Sequence, residues 1–304
     1  MGTDFDVIVS QGIAGKLPPV HGKTKILGVF GFPVEHSLSP AMHNSAIAAL
    51  GLSYIYLPFA VSPENLGTAI RSLPALGIVG VNLTIPHKEN VLPFLEEITD
   101  EARDVGAVNT VHCIGGKLIG DNTDGRGFFL PLREQGFSVS GKSVVVLGAG
   151  GAARSVVFCL VREGAEVVLI NRTPERAERL AQTVRDAGFA AVIRTLSLDN
   201  TAEYYTATAR ATLLVNTTRV GMHPNEDALP PVILEAFRPA LTVYDLVYNP
   251  VETRLLQEAK RRGCKTMDGI KMLVYQGALA FERWTGHFPP TDVMEAAVLQ
   301  GLAQ

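Results

Sequence analysis

The stretch KSVVVLGAGGAARSVVFCLVREGAEVVLINR, residues 142–172, admits few folds. An apolar run rich in valine meets a glycine turn, then a helix-period segment, then a second apolar run, all within about 30 residues. Strands apolar on both faces must be covered on both faces, so this is a βαβ unit of a parallel sheet. Its turn, Gly148 to Ala153, reads GAGGAA and fits G-x-G-x-x-A. Gly148 permits the tight turn, Gly150 lets a pyrophosphate approach the backbone, and Ala153 is small enough for close helix-to-strand packing. The helix that follows offers free N–H groups and the positive end of its dipole to the anion. Further strands fit 211–216 and 241–247, with helices at 174–187 and 253–262. This alternation predicts a doubly wound sheet with helices on both faces.

The end of the second strand bears on which dinucleotide binds. An NAD site usually has Asp or Glu there, bonded to the ribose 2′-hydroxyl. This chain has Asn171-Arg172-Thr173, with Arg176 one helical turn further on. A carboxylate repels a 2′-phosphate and a guanidinium forks onto it, which favours NADP. The alternative is structural: Thr173-Pro174-Glu175 is a good helix start whose arginines face water.

Ahead of this region, strands and helices also alternate from residue 25. ILGVF (26–30), SYIYLPFAV (53–61) and IVGVNLTI (78–85) read as strands. SPAMHNSAIAALG (39–51) reads as a helix with Ser39 as N-cap and Pro40 at the first helical position, and SPENLGTAIRSL (62–73) as a second. Short helices are expected near 88–95 and 99–105, a hairpin at 107–124 turning at Gly115-Gly116, and a helix at 124–135. From 270 two helices follow with no strand between them. Within VNLTIPHKEN (81–90), Pro86 stops the strand and Lys88 follows two residues later. Lys88 is either a solvated loop lysine or a proton donor over a substrate pocket. The expected organisation is an extension at 1–24, a first domain at 25–135 completed by 270–304, and a dinucleotide domain at 136–269.

Composition excludes several classes. A chain of 304 residues, 47% hydrophobic, is long enough for two domains. A formal charge of −3 leaves no electrostatic footprint for nucleic acid, and no basic run marks a membrane surface. MGTDFDVIVS lacks the basic start of a signal peptide. Cys113, Cys159 and Cys264 are widely spaced and form no CxxC, and the seven histidines show no HxxxH, so no metal ligand set is expected. The expected setting is the cytoplasm, the expected partner a small-molecule substrate, and the expected state a monomer or homodimer.

The motifs "HSLSPAMHN", "VNLTIPHK", "GAVNT", "GDNTDG", "LGAGGAARS", "NRTPERA", "NTTRVGM", "YDLVYNP" and "GIKMLVYQGALAFERWTG", in this order, resemble those of shikimate dehydrogenases over residues 25–304. The resemblance implies an α/β substrate domain, a Rossmann NADP domain and C-terminal helices returning to the first domain. It implies reversible NADPH-dependent reduction of 3-dehydroshikimate to shikimate in aromatic amino-acid biosynthesis. Two alternatives are a quinate/shikimate dehydrogenase of broader substrate use and a non-catalytic dinucleotide-binding sensor. Carried over by motif, Lys88 and Asp124 are the catalytic pair. Ser37 and Ser39 match the hydroxyls that hold the substrate carboxylate. Thr84, Asn109 and Gln276 match partners of the ring hydroxyls and carboxylate, and Tyr248 another substrate-side position. Gly148, Ala149, Gly150, Gly151 and Ala152 match the phosphate turn. Asn171, Arg172, Thr173 and Arg176 match the adenosine phosphate clamp, and Leu246 and Gly269 line the nicotinamide. Asp100 falls at a family cofactor contact but lies in no motif. Gly269-Ile270-Lys271-Met272 departs from the family's GLGM, and Phe32 stands where Asn or Asp is frequent.

Overall fold

The computed structural model describes residues 19–189 and 193–303, so most of the expected extension, residues 1–18, lies outside the described residues. The chain divides into two compact units. The first holds the described residues up to Thr99, Ala107–Asp121 and the chain from Gly277; the second holds Asp100–Gly106 and Asn122–Gln276.

The first unit is built on six strands: β1 (Lys25–Gly31), β2 (Tyr54–Ala60), β3 (Ile78–Leu83), β4 (Glu97–Ile98), β5 (Thr110–Ile114) and β6 (Lys117–Asp121). Their order across the sheet is β2-β1-β3-β5-β6-β4. β1 pairs in parallel with β2 and β3, while β5 runs antiparallel to β3 and β6. The β5–β6 hairpin turns at Gly115 and Gly116, whose φ values of 58° and 84° are those a two-residue hairpin turn demands. Trp284 locks the sheet face: its Nε1 donates to the Val111 carbonyl at 3.0 Å. It lies so close to β3 that a Cβ on Gly80 would stand 2.2 Å from that nitrogen.

The second unit carries β7 (Ser143–Leu147), β8 (Glu166–Ile170), β9 (Ile193–Leu196), β10 (Leu213–Asn216), β11 (Thr242–Asp245) and β12 (Lys265–Met267), in the order β12-β11-β10-β7-β8-β9. Every pairing is parallel, and the order reverses at β7. This is the doubly wound arrangement, with its switch point beside the glycine turn. Val144, Val145, Val146, Leu147, Val167, Leu169 and Ile170 are all buried, as two-sided cover requires. No helix among the described residues is long and apolar enough to cross a membrane.

Several local expectations differ from the structure. The strand expected at 78–85 ends at Leu83, and the helix expected near 88–95 is a single 3-10 turn at Leu92–Phe94. Ser39 is the first residue of helix Ser39–Ala49 rather than its cap, and its N–H donates to Ser37 Oγ at 3.3 Å. Strands β4, β9 and β12 and helix Thr201–Arg210 are not expected from the sequence; each of these strands has four residues or fewer, too short for a periodic signal. The chain passes between the two compact units at 99/100, 106/107, 121/122 and 276/277. The reason is helix packing. Gly125 lets helix Asp124–Glu134 lie on helix Gly151–Arg162 so closely that a Cβ there would stand 2.9 Å from the Ser155 carbonyl. Segment Asp100–Gly106 is bound to that second helix through Arg154 Nε donating to the Val105 carbonyl at 2.7 Å and through the Arg162–Asp104 ion pair.

His43 is wholly buried in the first unit, stacked on Tyr56 with ring centroids 4.2 Å apart, and neither ring nitrogen has a hydrogen-bond partner among the described residues. Burial lowers its pKa to about 3. Between pH 6.5 and 3 the unfolded chain therefore holds a proton that the folded chain refuses, and stability falls as pH drops through that window. His43→Phe is expected to remove about 2 kcal/mol of the loss between pH 7 and pH 5, measured as the urea-unfolding free energy at the two pH values. An equal acid sensitivity in both proteins would contradict this.

Candidate active site

In the first unit, five of the candidate side chains lie on the segments that leave the C-terminal ends of β1 and β3 or enter β5, four on loops and Ser39 as the first residue of a helix. Ser37 and Ser39 stand at the start of helix Ser39–Ala49, whose first N–H groups have no intrahelical acceptor. Two hydroxyls at a helix N-terminus suit a carboxylate. Thr84 follows β3, its N–H donating to the Phe30 carbonyl at 3.0 Å. Gly31 makes room for it, since a Cβ there would stand 2.5 Å from Thr84 Cγ2. Asn109 is buried and clamped by its backbone: its N–H donates to the Asp121 carbonyl at 3.1 Å and its carbonyl accepts from Leu83 N–H at 2.8 Å.

Lys88 sits on a braced turn. The Lys88 carbonyl accepts from Val108 N–H at 2.8 Å, and the buried ring of His87 meets the Val61 carbonyl through Nε2 at 2.7 Å. The Lys88 side chain is half-buried. A lysine held on a backbone pinned from two sides differs from one on a free surface loop.

Behind these groups lies a polar cluster to which the sequence assigns no role. Tyr56 hydroxyl donates to Asn82 Oδ1 at 2.8 Å, and Asn82 Nδ2 donates to the Asn109 carbonyl and Thr110 Oγ1, each at 3.2 Å. Burial pushes the Tyr56 hydroxyl well up, opposed by a hydrogen bond with Ser39. A signal for it exists, since Asn82 lies inside VNLTIPHK at a buried strand position.

In the second unit, Asp124 is buried as the first residue of helix Asp124–Glu134. Its N–H donates to Asn122 Oδ1 at 3.1 Å, and the same oxygen accepts from Ser155 Oγ at 3.1 Å. Thr123 Oγ1 donates to the Gln276 carbonyl at 2.9 Å, which joins the segment bearing Asp124 to the one bearing Gln276. Tyr248 is half-buried, and burial raises its pKa.

The glycine turn fits a dinucleotide. Gly148 has φ +105°, and a Cβ there would stand 2.6 Å from Thr217 Oγ1. Beyond Gly150 and Gly151 nothing lies within 4 Å of where a Cβ would be, so the turn opens onto free space at the N-terminus of helix Gly151–Arg162. Ala149 stands in the turn and Ala152 at the start of that helix, both half-buried. At the end of β8, Asn171 Nδ2 donates to the Thr173 carbonyl at 2.8 Å and shapes the loop. Arg172 and Arg176 are exposed, and neither makes a side-chain ion pair or hydrogen bond among the described residues. Leu246 and Gly269 meet: a Cβ on Gly269 would stand 2.3 Å from the Leu246 carbonyl. Asp100 is the outlier, its side chain 91% exposed and paired with Arg103 one helical turn away.

Residues 29–111 match the family model described as the shikimate dehydrogenase substrate binding domain. Residues 132–235 match shikimate / quinate 5-dehydrogenase, and 269–299 the shikimate 5′-dehydrogenase C-terminal domain. A shikimate dehydrogenase (NADP(+)) of Methanopyrus kandleri is 52% identical over 286 residues, which cover 93% of this chain and 98% of the relative. A crystal structure of a shikimate dehydrogenase in complex with NADP+ is 43% identical, covers 95% of this chain and 100% of its own, and superposes with a TM-score of 0.89. The Thermus thermophilus shikimate 5-dehydrogenase in complex with NADP(H) and shikimate is 41% identical, covers 91% and 99% of the two chains, and has a TM-score of 0.82.

A test of the turn follows from its geometry. Gly148→Ala places a side chain both at positive φ and against Thr217, and is expected to cost about 1–3 kcal/mol of stability and to abolish dinucleotide binding. Thermal melting with and without dinucleotide reads both. A variant that melts and binds like the parent would show that the turn tolerates what this geometry forbids.

Proposed function

The chain belongs to the shikimate dehydrogenase family, and on that premise we propose that it catalyses the reversible NADPH-dependent reduction of 3-dehydroshikimate to shikimate, a step of aromatic amino-acid biosynthesis. The observation that carries the cofactor half is the open turn at Gly148–Gly151, with two exposed arginines, Arg172 and Arg176, that have no side-chain partner among the described residues, just past the end of the adjacent strand. No acidic side chain occupies the position that would repel a 2′-phosphate. Bound NADPH supplies the hydride.

The residues of the chain do the rest. A ketone that accepts a hydride develops charge on its oxygen and needs a proton there. Lys88 is the donor, an ammonium on a pinned turn. Asp124, held by Asn122 at the start of its helix, is the second acid–base residue. Ser37 and Ser39 bind the substrate carboxylate at a helix N-terminus, where the dipole adds to their hydroxyls. Thr84, Asn109 and Gln276 take the ring hydroxyls and carboxylate, and Tyr248 completes the substrate contacts. Leu246 and Gly269 line the nicotinamide. The free thiols Cys113, Cys159 and Cys264 suit a reducing compartment such as the cytoplasm.

Lys88→Ala is expected to lower kcat by on the order of 10²–10⁴-fold, the usual worth of a general acid–base group, with a smaller change in the shikimate KM. NADP affinity, measured by calorimetry, should stay near the parent value. Activity within a few-fold of the parent in a folded Lys88→Ala protein returns this lysine to the solvated loop.

Arg172→Asp replaces a guanidinium by a repelling carboxylate. NADP affinity should fall by about 10–100-fold, with little change for NAD. Equal turnover of the unmodified chain with both dinucleotides would overturn the assignment of the 2′-phosphate to these arginines.

A further inference from the structure

At the C-terminal ends of β7, β10 and β11 runs a hydrogen-bonded chain of side chains that none of these roles uses. Its centre is Asp245, the last residue of β11, which is fully buried. Its Oδ2 accepts from Thr253 Oγ1 at 2.6 Å. Its Oδ1 accepts from Asn216 Nδ2 at 2.9 Å and from Val247 N–H at 3.1 Å. Asn216 Oδ1 in turn accepts from Thr218 N–H at 3.1 Å and Thr218 Oγ1 at 2.7 Å. Between them, Thr217 Oγ1 donates to the carbonyl of Leu147 at 2.6 Å, the residue just before Gly148.

A carboxylate placed where no water reaches is costly unless its partners are well aimed. Burial does push the Asp245 pKa up, and the hydrogen bonds from Thr253, Val247 and Asn216 oppose that rise. What the group achieves there is geometric. It fixes the backbone on both sides of Leu246, whose own N–H donates to the Asn216 carbonyl at 3.0 Å and whose carbonyl lies against Gly269. The sheet order places β11 and β10 on one side of the glycine turn of β7, and β8, which leads to Arg172 and Arg176, on the other.

We infer that Asp245 is a positioning residue for the nicotinamide half of the cofactor site: it holds Leu246–Tyr248 and the Asn216–Thr218 turn in place, and leaves the adenosine half alone. The inference rests on the cofactor reading above. Thr253 belongs to the same device, because its hydroxyl is the group that engages Asp245 Oδ2.

Adenosine 2′,5′-bisphosphate separates the two halves, since it carries the 2′-phosphate and lacks the nicotinamide. Calorimetry with NADP and with the bisphosphate is run on the full chain and on Asp245→Asn, Thr253→Val, Thr253→Ser and Arg172→Asp, each checked by thermal melting. Asp245→Asn and Thr253→Val should weaken NADP by about tenfold and the bisphosphate by less than about twofold, and Thr253→Ser, which keeps the hydroxyl, should stay near the parent. Equal losses for both ligands would reduce Asp245 to a structural residue, and unchanged NADP affinity in a folded variant overturns the inference outright. Should Asp245→Asn fail to fold, Thr253→Val against Thr253→Ser decides alone. The cofactor reading fails separately, if Arg172→Asp leaves the bisphosphate affinity of the chain untouched.

Discussion

A primary amide sealed inside a protein must find partners for both its oxygen and its two N–H groups, and this requirement shapes both units. Asn82 lies near the end of β3 and Asn216 at the end of β10, each an interior strand of its sheet, and both are buried. Asn82 meets Tyr56, the Asn109 carbonyl and Thr110; Asn216 meets Asp245 and Thr218. Each amide thus dictates where the neighbouring loop must run, and those loops carry Thr84, Lys88 and Asn109 in one unit and Leu246 in the other. Leaving such a group unsatisfied costs about 1–3 kcal/mol, more than most loop rearrangements return. The loops that carry the proposed site residues are thus set by buried amides behind them.

Charge is handled differently in the first unit. Asp121, at the end of β6 and buried, accepts from Thr99 Oγ1 at 2.7 Å and pairs with Arg283 at 2.8 Å. The carboxylate closes the sheet edge where β4 meets β6, and its backbone carbonyl holds Asn109. With Arg283 reaching solvent, the pair contributes little net stability, but it gives the buried carboxylate a counter-charge.

Much of this architecture is legible in the amino-acid sequence. The βαβ unit, its glycine turn and the arginines after it follow from local sequence, because hydrophobic period and φ requirements are written residue by residue. The Gly115-Gly116 hairpin is readable for the same reason. Ser39 is ambiguous because Ser-Pro announces a helix start without saying whether the serine or the residue before it is last outside the helix; here Ser37 supplies the acceptor. The boundaries of the units are out of reach, since they depend on Gly125 meeting Ser155 and on Arg154 meeting Val105, contacts that no periodicity encodes. Asp245 stands out in no sequence pattern, even within YDLVYNP, because a buried carboxylate and a solvent-facing one look alike in sequence. Its role appears only when Thr253 and Asn216 are seen around it.

The order in which the chain is synthesised gives the closing helices a further meaning. The second unit ends at Gln276, whereas the first includes the chain from Gly277 to the last described residue. Trp284 reaches back 173 positions to hydrogen-bond Val111, and a contact of that span forms late. On a ribosome, the dinucleotide-binding unit can close while the substrate-binding sheet still awaits its last layer, with Gly80 and the face around it uncovered. For that interval the nascent first unit shows apolar surface to its surroundings, the kind of surface by which chaperones find their clients.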